Sequence, residues 1–124
     1  MTISNLYARI MQTSHTEIGK DLFIEWLNRI ESTIFHEIVL THDNPEGITF
    51  KGFDESTDGD TVLIAPDMHA DLYLHYIGMK IDTMTGETDR LNVSTALFSS
   101  AYQSFADFYN RTHMPIATAS RYNY

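Results

Sequence analysis

Apolar residues recur at helical spacing along most of the chain and change period only in its middle. Between Glu87 and Pro115, Leu91, Phe98, Phe105 and Thr112 fall on every seventh position, with Ser94, Ala101 and Phe108 between them, so one face of a long helix is marked. Leu97, Tyr102, Ala106 and Tyr109 form a second row. Two rows widen the face beyond a coiled-coil seam and predict a central helix covered by neighbours on more than one side. Arg111, Thr112 and His113 occupy its last turn, where cations suit the negative end of the dipole, and Pro115 forbids continuation.

Upstream, Leu6 and Ile10, with Ile3, share one side of a short helix over residues 4–12, capped by Thr2 or Ser4. Ser14 and Glu17 have the spacing of a capping box, and Asp21 is an equal candidate for the start of the next helix. There Phe23, Trp26, Leu27, Ile30, Ile34 and Ile38 face inward, with Glu25, Arg29, Glu31 and Glu37 expected to point out. His42 to Gly47 contains Pro45 and Gly47 and breaks the helix. The period then shortens: Ile48, Phe50 and Phe53 alternate weakly with polar residues, and Thr61 to Ile64 is β-prone, which predicts a short β-hairpin or extended excursion near residues 48–64. Pro66 and Asp67 open a third helix with rows Leu72, Tyr76, Met79 and Tyr73, Ile77, Met84. Gly78 inside it predicts a close helix–helix contact, because glycine there costs stability relative to alanine. The turn Thr85-Gly86-Glu87 is short enough to make the third and fourth helices antiparallel neighbours. The expected fold is therefore mainly α, a bundle of three to four helices forming one domain over residues 1–115, with a C-terminal tail over 116–124.

Composition adds constraints. At 124 residues the chain has one domain's worth of length, and its formal charge of -9 with only 8 Lys and Arg argues against a surface that grips nucleic-acid phosphates. The bland explanation of that charge is solubility. The absence of cysteine rules out disulfides and thiolate chemistry. No basic segment followed by an apolar core opens the chain, so no signal peptide is expected. Nowhere do about 18 apolar residues run together, which excludes a spanning helix.

The candidate chemistry is thin. Asp54 to Asp60 places oxygens at alternate positions with Gly59 sixth, like the opening of a calcium loop, but the twelfth position is Ala65 instead of a bidentate Glu. His36, Glu37 and His42 miss the H-E-x-x-H spacing, and His69 and His75 stand six apart, so no zinc pattern is formed. Phosphate loops and nucleophile elbows are also missing. Asp67 and Asp71 are most simply a solvated first turn. These readings give no catalytic residue, no metal ligand and no cofactor.

The helical hairpin carries a resemblance. LYLHYIGMKID, the Gly86-Glu87 turn and DRLNVSTALFSSAYQSFADFYNRTHMP resemble small proteins of the head-completion gene clusters of tailed phages and prophages, the head-tail connectors or adaptors. The resemblance spans residues 71–115, with EWLNRIESTI at 25–34 adding to it, and is most specific over AYQSFADFYNRTHMP at 101–115. It does not extend to the acidic loop or the tail. It implies a non-enzymatic structural protein of the virion neck, assembled in the host cytoplasm as a homo-oligomeric ring. Its partners would be the portal protein and neighbouring neck or tail proteins, with DNA only as passing cargo and no membrane. Partner contacts are expected outside the regular helices, at Phe50, Phe53, Asp58 and Asp60 of the excursion and at Arg121, Tyr122 and Tyr124 of the tail. The alternative is a small acidic phage-encoded regulatory module acting on a host protein through a basic surface. A metal-dependent enzyme using the histidines ranks last.

Overall fold

A computed structural model describes residues 1–14 and 16–116. Among them are four α-helices: α1 (Ile3–Thr13), α2 (Lys20–Ile34), α3 (Asp71–Thr85) and α4 (Thr88–Thr112). Thr2 caps α1 through its hydroxyl, which accepts from the Asn5 N–H at 3.2 Å. The Ser14–Glu17 capping box does not form. Ser14 Oγ instead bonds within its own turn, accepting from Thr16 N–H and donating to Thr16 O, and α2 begins after Gly19. At its far end α2 continues as a π-helical turn, Phe35–Val39, which buries the adjacent residues Ile38 and Val39 together.

The sequence pattern places the centre of the bundle in α4, but the core is centred on α2. Phe23, Ile24, Trp26, Leu27, Ile30 and Ile34 are all buried, joined by Ile3, Leu6 and Ile10 of α1 and Leu72, Tyr73, Ile77 and Ile81 of α3. α4 lies at the periphery. It packs along α3 and buries only Phe105 and Tyr109, while Phe98, Ala101, Tyr102, Ala106 and Phe108 are half-buried against the core. Its apolar rows therefore line contacts with α3 and with the segments that flank α2 and α3, and nothing among the described residues covers the opposite face.

The α3–α4 connection matches its expected geometry. Gly86 adopts φ 74, a left-handed conformation that suits glycine, and Glu87 N–H reaches back to Asp82 O at 3.0 Å to close the helix. The close contact expected at Gly78 is not there: a methyl group at that position would meet nothing nearer than Ser94 Oγ at 4.0 Å.

The β-hairpin expected near residues 48–64 does not form, and the described residues contain no strand; the segment is the extended excursion that the pattern also allowed. Its backbone groups are used elsewhere. Thr61 O and Gly59 O accept from Ile3 and Ser4 N–H at 3.1 and 2.9 Å, filling orphan donors at the start of α1, and Leu63 N–H donates to Met1 O at 3.0 Å. Positive φ at Gly47 and Gly52 bends the chain before it could run straight beside Thr61–Ile64.

Candidate partner-binding surface

The excursion is held by side chains of α2. Asn28 makes two bonds to the backbone of Phe53, donating to its carbonyl at 2.7 Å and accepting from its N–H at 2.6 Å. One turn on, Glu31 accepts from Ile64 N–H at 2.8 Å and from the Tyr73 hydroxyl at 2.6 Å, and that hydroxyl in turn accepts from Ala65 N–H at 2.9 Å. Glu31, expected to face solvent, is 1% exposed. A buried carboxylate is tolerable because donors surround it. Burial raises its pKa, with the bonds from Tyr73 and Ile64 pulling the other way. The Tyr73 phenol is pushed well up by burial and then by the charge and hydrogen bond of Glu31.

This clamp decides where the predicted contact residues stand. Phe50 and Phe53 are half-buried, packed edge to face at 5.0 Å, with Phe50 also against Phe35. They are anchors on α2 more than free docking groups. Asp58 and Asp60 are exposed at the other end of the excursion, where Asp58 Oδ1 accepts from Asp60 N–H at 2.9 Å. Gly59 between them passes so near α1 that a methyl group there would overlap Ser4 Oγ. Close approach to α1 thus accounts for this glycine without a calcium turn. Asp54 likewise turns its carboxylate onto Ser56 and Thr57 of its own loop, bonds that lower its pKa. The phenylalanine pair and the aspartate pair do not converge. Arg121, Tyr122 and Tyr124 lie outside the described residues.

A second cluster joins the ends of α2 and α4. Asp43 N–H donates to Met114 O at 2.7 Å and Ile116 N–H to Thr41 O at 3.0 Å, a single antiparallel bridge. His113 stacks on Tyr109 at 3.8 Å and meets Glu46 at 2.8 Å; this contact is the main reason the Glu46 pKa is lowered. A 410 Å³ cleft beside them is lined by Ile48, Ile64, Phe105, Phe108 and Tyr109 among others. His69 rests on Phe105 and Phe108, its Nε2 buried without a partner among the described residues; burial, and then the Arg111 charge, hold its pKa down. His42 meets the Asn110 amide oxygen and stands edge-on to Tyr109 at 5.1 Å, and sequence spacing singles out neither it nor His69, because α4 gathers them from distant segments.

A cleft of 590 Å³ lies between α1, α3 and the start of α4 and is lined mainly by Ile10, Leu74, Ile77, Gly78 and Ile81, with Asp82 and Arg90. The Asp82 carboxylate accepts from Ser94 at 2.6 Å. Among the described residues no three His, Asp or Glu side chains are grouped to share an ion. No helix there is long and apolar enough to cross a membrane.

What the described residues leave open is the outer face of α4. Val93 is 60% and Leu97 46% exposed, and Met68, on the turn before α3, is 71% exposed. Residues 92–106 carry no charged side chain in an otherwise acidic chain. An apolar, uncharged helix face of this kind favours contact with protein over solvation. Compared with protein-family models, curated proteins and solved structures, the chain matches none.

Proposed function

We propose that the chain works by binding, as a head-tail connector or adaptor subunit of a tailed phage or prophage that docks on the portal and joins capsid to tail around the DNA passage. The observation that carries this reading is the state of α4: the helix richest in the connector resemblance buries only Phe105 and Tyr109 in its own fold and turns an uncharged face outward. A rigid frame with an uncovered helix is suited to assembly, and the acidic remainder disfavours adhesion to passing DNA. The virion neck is then the site of action, and the protein acts as one of several copies beneath the portal.

Residues 117–124 offer a direct test, because a chain ending at Ile116 retains the Thr41–Ile116 bond. A connector truncated there is expected to keep its circular dichroism spectrum and melting temperature while filled heads fail to gain tails. Normal infectious particles would remove this segment from the docking role. A regulator acting on a host protein is the second reading, favoured by the charge of -9; it expects specific retention of a basic host protein on the immobilised chain.

A further inference from the structure

The outer face of α4 has a symmetry that names its occupant. Asp89, Val93, Ala96, Ser100, Ser104, Asp107 and Arg111 are all exposed, and their spacing of four, three, four, four, three and four residues keeps them on one stripe of a helix. That spacing reads the same in both directions about Ser100. Reversal about this point places Asp89 against Arg111, Ala96 against Ser104 and Ser100 against itself. Within one chain, Asp89 and Arg111 are roughly 33 Å apart at 1.5 Å per residue, and among the described residues neither makes an ion pair. Each suits its own helix end, Asp89 at the positive and Arg111 at the negative. An antiparallel copy of α4 would give each of them an opposite charge as well.

We propose that α4 pairs antiparallel with α4 of a second copy of this chain, across a two-fold axis at Ser100, to form an isologous dimer. Small side chains at Ala96, Ser100 and Ser104 let the two backbones approach closely. Leu97, 46% exposed, projects beside this seam. Across the axis it meets a 280 Å³ groove lined by Met68, His75, Leu97, Ser100, Ala101 and Ser104 among others. Asp107 falls opposite Val93 at the rim, where the Gln103 amide donates to its carboxylate at 2.9 Å. Two complementary pairs, Asp89 with Arg111 and the reverse, fix the antiparallel sense, since a parallel pair would set like charges together. An isologous contact is self-complementary and closes at two copies. Such a dimer is a state of the free protein, ahead of any assembly on a portal, and would hold equally for a regulator.

The chain contains no cysteine, so one introduced thiol reports on its own mate. In an antiparallel pair centred on Ser100, S100C places two thiols across the axis within disulfide reach. V93C leaves its mate about 21 Å away along the helix. Under mild oxidation of the otherwise unchanged protein, S100C is expected to form a covalent dimer at least ~10-fold faster than V93C. In sedimentation equilibrium the wild-type protein is expected at twice its 14.2 kDa chain mass. D89R or R111D alone should weaken the dimer roughly tenfold, and the D89R/R111D double variant should restore it. A wild-type monomer at all concentrations, equal cross-linking of S100C and V93C, or a double variant no better than the single ones would each overturn the proposal. Sedimentation of the free protein as a larger ring, or pairing only with a different protein, would do the same.

Discussion

Glu31 ties α2 to α3 and to the excursion, and its sequence context hides this. At a position that reads as solvent-facing, its two carboxylate oxygens receive donors from Ile64 and Tyr73. Alanine leaves both donors without an acceptor at any pH, so E31A is expected to cost about 1–3 kcal/mol in urea unfolding. The pH dependence has a definite sign. With the folded pKa raised above the ordinary 4.5, the contribution of Glu31 is complete below pH 4.5 and is lost as pH rises through the folded value. The stability gap between wild type and E31A should therefore narrow as pH rises above 4.5. A gap that widens with pH would mean that hydrogen bonding outweighs burial at this carboxylate. Gly78 is a simpler case. With no atom nearer than 4.0 Å to a methyl group placed on it, G78A is expected to raise stability by about 0.5–1 kcal/mol, read from the urea midpoint. A loss would restore the close contact that the sequence suggests.

At the scale of elements, the helices are legible in the sequence and their roles are less so. Helical periodicity marks all four, and the Thr85-Gly86-Glu87 turn correctly pairs α3 with α4. Periodicity cannot tell a seam from a core, however. The long aromatic rows of α4 read as a central helix, yet Phe98 packs on Tyr76 of α3, Tyr102 donates to Glu37 beyond α2, and the centre belongs to α2. The excursion reads equally as a hairpin or an extended segment because alternation over a few residues does not reveal what satisfies the backbone. Asn28 and Glu31 do so from α2, and their roles depend on which segment folds over them. N28A is expected to cost about 1–2 kcal/mol and to speed amide exchange at Phe53 while leaving Ile64 protected. Equal loss of protection at both would mean that the excursion is held as one unit. Of the predicted contact residues, Asp58 and Asp60 are exposed as expected, Phe50 and Phe53 are half-buried anchors, and Arg121, Tyr122 and Tyr124 fall outside the described residues.

For the whole molecule, the contrast is between a well-filled core around α2 and an outer helix that the described residues leave half bare. Val93, Leu97 and Met68 are too exposed to contribute much to monomer stability, and the uncharged stretch around them is better suited to a protein partner than to water. That contrast supports assembly, and the sequence shows only part of it: the lack of charge over residues 92–106 is plain there, but its exposure is not. Mass spectrometry of purified virions, from the phage or induced prophage whose genome encodes the chain, tests the connector role most directly. The chain is expected in tailed particles at a few copies per portal. Its absence from particles that contain portal and tail proteins would contradict a structural role in the neck.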